Sequence, residues 1–365
     1  MKPRVIALAL ALSLILTGCA SMLERPYLRI TTHESVSAGE NSPSALRVES
    51  YQDLVNAILY LVTERAEHGV LGLYNYTADV ESDLTRACME VAQEDPLGAY
   101  AVDYIRHDWS LIVSYYEANI YITYRRTREQ VDSIVSVTGS SAIRRALRNV
   151  LADFSSESVL RVNYFTGGDE QYFLDLVRRA YYDDPGTALG MPEVQVSIYP
   201  NEGQQRIVEF TLTYPESRAT LLRRTQQLRE QVERLAPLPA APEELYSLLL
   251  ADLTVTEEEG CGTAYHALVE GRADSEGAAL AYQLLCDRAG VECVLVRGEL
   301  DGTPHFWNIV TDKEENSYHA DPSAGLFGLS DEALTEAGVY QWDRVEYPIC
   351  TAPEPTVPDS SETEI

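Results

Sequence analysis

The stretch that decides the fold covers residues 263–298 and reads TAYHALVEGRADSEGAALAYQLLCDRAGVECVLVRG, with HFWN at 305–308 and YHADPS at 318–323. Apolar residues recur at helical spacing over 276–289, and Gly290 is a residue type that ends helices. The sequence therefore predicts a helix over 276–289 that stops at Gly290.

Short strands are predicted after this helix. The first, at 291–296, is rich in β-branched residues, and the second and third cover 307–310 and 317–320. Polar residues at 312–316 form the turn between the last two strands. A helix followed by antiparallel strands is the predicted local architecture.

Ser275, His305 and Asp321 have side chains that can carry chemistry, and this architecture can bring them together. Ser275 lies at the start of the helix, where free N–H groups and the positive end of the dipole favour a thiolate or a developing oxyanion. His305 and Asp321 lie on the strands. A nucleophile, a base and a group that orients the base are the parts of a catalytic triad.

These motifs resemble the core of a bacterial transglutaminase-like (papain-related) domain. Such domains carry a cysteine nucleophile at a helix start, a histidine in an HxW strand motif and an aspartate on the next strand. The resemblance implies a papain-like α+β fold, with His305 and Asp321 at the histidine and aspartate positions. Ser275 stands where the family has its cysteine.

The helix start departs from the family in chemistry. The family's Cys-x-Gly-Tyr pattern reads Ser-Glu-Gly-Ala at 275–278, and Pro-Ser-Ala at 322–324 stands where a tryptophan often follows the aspartate. A thiol can be stored as a thiolate, with a pKa of roughly 3.5–7.5 beside a protonated histidine or a helix N-terminus, whereas a hydroxyl cannot. Asp274 and Glu276 add negative charge beside Ser275. We expect Asp274 or Ser275 to cap the helix; a working serine nucleophile and another binding role are the alternatives.

The N-terminus predicts a lipid anchor. A basic segment at 1–4 and an apolar run at 5–16 precede Leu-Thr-Gly-Cys at 16–19, which resembles the lipobox of bacterial lipoproteins. The run is too short to span a bilayer and is typical of a signal peptide. Cleavage before Cys19 and its acylation would anchor the chain in the cell membrane, on the extracytoplasmic face. The alternative is an ordinary signal peptide with an accidental cysteine.

Composition excludes several classes of function. The chain has 365 residues and a formal net charge of −29, so its surface repels nucleic acid and anionic membrane. No cysteine–histidine spacing, glycine-rich phosphate loop or EF-hand loop is present, so no metal and no cofactor is predicted. His266 and His319 have no partner in these motifs and are interpreted as scaffold or surface residues. Cys293 and Cys350 are one possible disulfide pair.

Two landmarks repeat at an offset of 89 residues: VLGLYNYT at 70–77 matches VLRVNYFT at 159–166, and Asp-Pro at 95–96 matches Asp-Pro at 184–185. Two α+β repeats are therefore predicted, each with a helix, a strand, a helix and a strand pair. The expected organisation is a signal peptide (1–18), a tether (19–48), repeat 1 (49–137), repeat 2 (138–236), a transglutaminase-like domain (237–351) and an acidic disordered tail (352–365).

The predicted function is that of a lipoprotein whose degenerate transglutaminase-like domain binds or scaffolds a protein, peptide or cell-wall ligand at the cell surface. The alternative is an active acyltransferase or peptidase with the triad Ser275, His305 and Asp321.

Overall fold

Helices and sheets alternate along the chain, and the α+β class predicted from the sequence is confirmed in the computed structural model. The structure describes residues 45–164, 169–258, 260–336 and 339–351. The predicted signal peptide, Cys19 and the predicted tail lie outside the described residues. The chain divides into two units: the first contains the described residues up to Asp132 with Tyr199–Ile207, and the second contains Ser133–Ile198 and the described residues from Val208.

The first unit contains a four-stranded sheet made of β1 (Leu46–Val48), β2 (His68–Leu73), β3 (Val102–Ile112) and β4 (Tyr115–Tyr124). The strand order is β1-β2-β4-β3. β1 runs parallel to β2, while β2 and β3 run antiparallel to β4. The helices are α1 (Tyr51–Thr63), α2 (Val80–Gln93), α3 (Pro96–Ala101) and α4 (Arg128–Asp132).

Side-chain caps define where the first helices begin. The Ser50 side chain accepts a hydrogen bond from the backbone N–H of Asp53 at the start of α1, and Asp79 accepts from Ser82 at the start of α2. The apolar face of α1 is buried, including Leu54. Burial of one helix face against the sheet is what holds such a helix in place.

The second repeat follows the order of elements of the first, except that α3 has no counterpart among its described residues. Its sheet has the order β5-β6-β8-β7, which corresponds strand for strand to β1-β2-β4-β3. The elements are β5 (Val135–Thr138), α5 (Ser140–Ala152), β6 (Glu157–Asn163), α6 (Glu170–Tyr182), β7 (Glu193–Tyr199) and β8 (Arg206–Thr213). The leading strands β1 and β5 were not predicted, because runs of 3 and 4 residues are too short to establish an alternating pattern. β1 lies inside the predicted tether, and β5 crosses the predicted boundary between the repeats, at 137/138.

Four α-helices, a two-stranded sheet and a five-stranded sheet make up the rest of the described chain. The helices α7 (Arg218–Leu235) and α8 (Pro242–Leu250) precede a short parallel pair, β9 (Thr254–Val255) and β10 (Arg272–Ala273), with a π-helical turn (His266–Glu270) between them. Helix α9 (Ser275–Ala289) leads into a five-stranded sheet with the order β14-β13-β12-β11-β15. The strands of this sheet and its remaining helix are β11 (Glu292–Leu300), β12 (Thr303–Thr311), β13 (Ser317–Asp321), β14 (Leu326–Leu329), α10 (Asp331–Glu336) and β15 (Tyr340–Trp342).

The five-stranded sheet is buried on both faces. Cys293 and Leu295 on β11 belong to the core that contains α9, whereas Val296 packs with Trp307 in a second cluster. Cys350 belongs to that second cluster. The pairing of Cys293 with Cys350 is therefore wrong: the two residues pack into different cores, and both thiols are free.

Among the described residues, no helix combines the length and the apolar composition that crossing a membrane requires.

Candidate active site

The start of α9 is fixed by Asp274. Its Oδ1 accepts a hydrogen bond from the backbone N–H of Gly277 at 2.9 Å, so Asp274 and not Ser275 is the cap residue. Ser275 is the first residue of the helix and is half-buried. At the other end Gly290 adopts the left-handed conformation, with φ +73°, and ends the helix as predicted.

A loop crosses close to the same helix start. A Cβ atom at Gly277 would lie 2.5 Å from the carbonyl oxygen of Cys261 and 2.9 Å from the backbone nitrogen of Thr263. Only glycine allows this approach of backbone to backbone. On the far side, Asn308 of β12 donates from Nδ2 to the carbonyl oxygen of Ala279 at 3.1 Å and ties the helix to the sheet.

His305 and Asp321 contact each other directly. His305 lies on β12 opposite Gly298, and Asp321 ends β13. The distance from His305 Nε2 to Asp321 Oδ2 is 2.7 Å, and the two side chains are 13% and 3% exposed. The structure thus brings together two of the three residues singled out in the sequence.

Asp321 is held as a carboxylate by several donors. Tyr340 donates from its hydroxyl to Oδ2 at 2.8 Å, and Ser323 donates to Oδ1 from its hydroxyl at 2.7 Å and its backbone N–H at 2.9 Å. The Ala324 N–H also donates to Oδ1, at 3.0 Å. Burial by itself raises the pKa of Asp321, but the bonds from His305, Ser323 and Tyr340 outweigh it and hold that pKa below its ordinary value.

This arrangement determines which ring nitrogen of His305 carries the proton. An ionised Asp321 accepts from Nε2, so neutral His305 carries its proton on Nε2 and has a lone pair on Nδ1. A histidine oriented in this way by a buried carboxylate is suited to act as a general base through Nδ1.

Ser275 is not joined to this pair. Within the described part of the chain, no hydrogen bond connects the Ser275 hydroxyl to His305. The nearest ring neighbours of His305 are Trp307 and Tyr340, with centroids at 6.2 and 5.9 Å. The site therefore has an oriented base without an engaged nucleophile.

Ser323 is a second serine near the histidine, and its geometry is that of an orienting group. Its hydroxyl oxygen is 3.4 Å from His305 Nε2, the nitrogen that already contacts Asp321. The hydroxyl proton of Ser323 is donated to Asp321 Oδ1. Ser323 therefore fixes the carboxylate and is not presented to the lone pair of the base.

Glu276 places a second carboxyl beside Ser275. The Tyr182 hydroxyl at the end of α6 donates to Glu276 Oε1 at 3.0 Å. Burial raises the pKa of Glu276 to about 7, the bond from Tyr182 opposes that shift, and the neighbouring Asp274 adds to it. Above that pH, negative charges on both sides of Ser275 disfavour an anion on its side chain.

The raised pKa of Glu276 predicts a pH-dependent loss of stability. The ordinary value is 4.5, so the folded protein binds this proton more tightly than the unfolded chain does. The stabilisation is complete below about pH 4.5 and is lost as the pH rises through about 7. Glu276→Gln keeps an acceptor for Tyr182, so we expect it to raise the free energy of unfolding at pH 8 by on the order of 2 kcal/mol, with little gain at pH 4. Urea unfolding at both pH values measures this, with the exposed Glu157→Gln as control; an equal effect at both pH values would contradict it.

His319, Asp331 and Cys350 form a buried cluster behind the sheet, with potential ligand atoms within 4.8 Å of one another. Trp307 Nε1, which can only donate, lies 3.0 Å from His319 Nδ1, so the ring proton is on Nε2 and is donated to Asp331 Oδ1 at 2.9 Å. Burial and Asp331 raise the pKa of the Cys350 thiol to about 12. These bonds, with the one that Asp331 Oδ1 accepts from the backbone N–H of Cys350 at 3.3 Å, form a hydrogen-bond chain from Trp307 to Cys350. His319 is thus scaffold, as interpreted, although it does have a partner in Asp331.

Three hydroxyl groups that shape the site could not be predicted from the sequence. Tyr340, Tyr246 and Tyr182 lie 19, 75 and 94 residues from the groups they bond. Tyr246 donates to the backbone oxygen of Asp321 at 2.9 Å. No local pattern marks these partners. Ser323, two residues after Asp321, carried a usable signal, because serine just after aspartate commonly bonds back to it.

No family model matches the chain, and no curated protein matches it. Among solved structures it is similar to one described as "Crystal structure of a TGase", with a TM-score of 0.26 and 10% identity over 57% of this chain and 62% of that one. It is also similar to a protein of Parabacteroides distasonis described as a "putative protease", with a TM-score of 0.21 and 10% identity over 60% of this chain and 36% of that one. The chain spans less than two thirds of the length of either structure. Similarity at this level does not bear on activity.

Proposed function

We propose that this protein is a lipid-anchored extracytoplasmic lipoprotein whose transglutaminase-like domain binds a protein, peptide or cell-wall ligand and catalyses little or no acyl transfer. The observation that carries the proposal is that His305 and Asp321 form an intact pair to which Ser275 makes no hydrogen bond. The base, His305, and the group that orients it, Asp321, are present. The thiolate anion that a cysteine could provide at position 275 is absent.

The chemistry of the Ser275 hydroxyl supports low acyl-transfer activity. A serine hydroxyl attacks only if a base removes its proton during the attack, which requires a hydrogen bond or a close approach to that base. General-base help contributes typically about 10²–10⁴-fold, and only when the geometry is right. Ser275 lacks this contact and has the buried Glu276 and the capping Asp274 on either side.

The same features suit ligand binding. His305 is partly exposed, with a lone pair on Nδ1, and its orientation is fixed by a carboxylate that is itself held by four hydrogen bonds from Tyr340, Ser323 and Ala324. A partly exposed imidazole with a fixed orientation can hydrogen-bond a polar group of a peptide or of cell-wall material. The net charge of −29 argues against nucleic acid as a partner.

The alternative function is an acyltransferase or peptidase with Ser275, His305 and Asp321 as its triad. The orientation of His305 by Asp321 favours it, because such a pair can serve a nucleophile that moves into reach on substrate binding. The purified protein and Ser275→Ala are to be compared in amide hydrolysis and amine incorporation. We expect equal rates at the level of the uncatalysed reaction. Turnover by the wild type that is lost in Ser275→Ala would establish the enzyme and remove the inactive assignment.

The anchor is a separate prediction. Cys19 lies outside the described residues, and its proposed acylation is supported by the motif at 16–19 after an apolar run. We expect Cys19→Ser to appear in the medium or to remain unprocessed, because it cannot be acylated. Membrane fractionation with an N-terminal mass measurement tests this. A processed Cys19→Ser variant that stays with membranes like the wild type would contradict the anchor.

A further inference from the structure

The outer strand of the first unit is a long, open sheet edge. β3 spans 11 residues, pairs with β4 on one side and ends the order β1-β2-β4-β3. Eight of its residues are exposed, among them Tyr104, Trp109 and Leu111 at 48%, 39% and 61%. The opposite edge strand, β1, has 3 residues. Edge strands of this length present unpaired N–H and C=O groups that can template another strand.

Two opposite charges stand on one face of this edge. Arg106 and Asp108 are two residues apart, so their side chains point to the same side of the sheet. Arg106 packs 5.4 Å from the Tyr121 ring centroid, and Asp108 accepts a hydrogen bond from Asn119 Nδ2 at 2.8 Å. Neither forms an ion pair with another described residue. Each is an exposed charge that lacks its counter-charge.

A second copy of this chain, paired antiparallel with this edge, would place an opposite charge beside both Arg106 and Asp108 in one register. In an antiparallel pair of identical strands related by a two-fold axis, a residue on the axis faces itself. With His107 on the axis, Arg106 of each copy faces Asp108 of the other. On the other face of the sheet, Ile105 meets Trp109. Moving the axis to Arg106 or to Asp108 sets like charges opposite each other, which is unfavourable.

We propose that the protein forms a two-fold dimer in which the β3 edges of two copies pair antiparallel about His107 and join the two four-stranded sheets. The occupant of the edge is a second copy of this chain, because its charges complement themselves in that register. The dimer is independent of the proposed site around His305, so either proposal can fail alone.

A charge swap tests the register. Analytical ultracentrifugation of the purified protein over a wide concentration range is expected to show a monomer–dimer equilibrium. Arg106→Asp and Asp108→Arg each place like charges opposite each other twice by symmetry, so we expect each to weaken the dimer by about tenfold or more, equivalent to ~1.4 kcal/mol. The double variant Arg106→Asp/Asp108→Arg restores opposite charges and is expected to recover the affinity of the wild type.

The control is Arg148→Asp, an exposed arginine on α5 in the second unit, which changes the net charge by the same amount as Arg106→Asp. We expect its dimer to match that of the wild type, and circular dichroism to show that all variants are folded. A wild type that stays monomeric throughout overturns the proposal and makes an extended segment of another protein the better occupant. Single variants that dimerise like the wild type, or a double variant that stays as weak as the singles, also overturn it.

Discussion

Trp307→Ala is expected to lower the free energy of unfolding of the second unit by about 3–5 kcal/mol, as is typical when a fully buried aromatic residue is truncated. Trp307 is 0% exposed and packs against Val296, Ile309 and Tyr340 behind the five-stranded sheet. The truncation leaves a cavity and removes the N–H that His319 Nδ1 accepts. Urea unfolding followed by circular dichroism measures the loss.

Trp307→Phe separates packing from hydrogen bonding. Phenylalanine keeps most of the apolar volume and removes the indole N–H, so we expect a loss of about 1–3 kcal/mol from the unsatisfied His319 acceptor and the smaller ring. Leu222→Ala on α7 of the same unit is the control, since that side chain is 41% exposed. An alanine variant at Trp307 within about 1 kcal/mol of the wild type would contradict the central role of this side chain.

Periodicity explains why the elements around the site could be predicted. Helix α9 was predicted to begin one residue late, and the three strands after it were found with bounds that were too short. β12 was predicted as 307–310 and in fact begins at Thr303. The early part of β12, with Pro304 and His305, does not alternate apolar and polar residues. It is a strand because it pairs with the end of β11, where Gly298 faces His305. Pairing between strands, which single-strand patterns do not contain, sets the length.

β15 is a second strand that depends on pairing with another strand and could not be predicted from its own sequence. It has 3 residues and pairs with Gly298 and its two successors on β11, about 40 residues earlier in the chain. Tyr340 on this strand supplies the hydroxyl that bonds Asp321. His305 and Asp321 could be predicted from two short motifs. Tyr340, which donates to Asp321, is brought there by pairing between strands that are far apart in the sequence. The motifs predicted that His305 and Asp321 lie together, and the fold showed which groups hold them there.

The second large effect is expected at residue 275. Ser275→Cys should acquire a thiol that iodoacetamide alkylates up to about 10²-fold faster at pH 6.5 than in the Ser275→Cys/His305→Ala variant. An ordinary thiol with a pKa of about 8.5 is about 1% thiolate at that pH, whereas one beside an imidazolium at a helix N-terminus is largely thiolate. The five cysteines among the described residues are buried, so the native background is low.

Glu276 should limit this reactivity in a pH-dependent way. Burial raises the pKa of Glu276 to about 7, so its carboxylate opposes the thiolate introduced by Ser275→Cys above pH 7 and is neutralised below it. We therefore expect Glu276→Gln, added to Ser275→Cys, to speed alkylation above pH 7 and to change it little below about pH 6. The pH profile of the rate, followed by mass spectrometry, measures both effects. Equal rates with and without His305 would show that the imidazole does not act on position 275. The transglutaminase-like placement of Ser275 opposite His305 and Asp321 would then be wrong, even though the pair itself is intact.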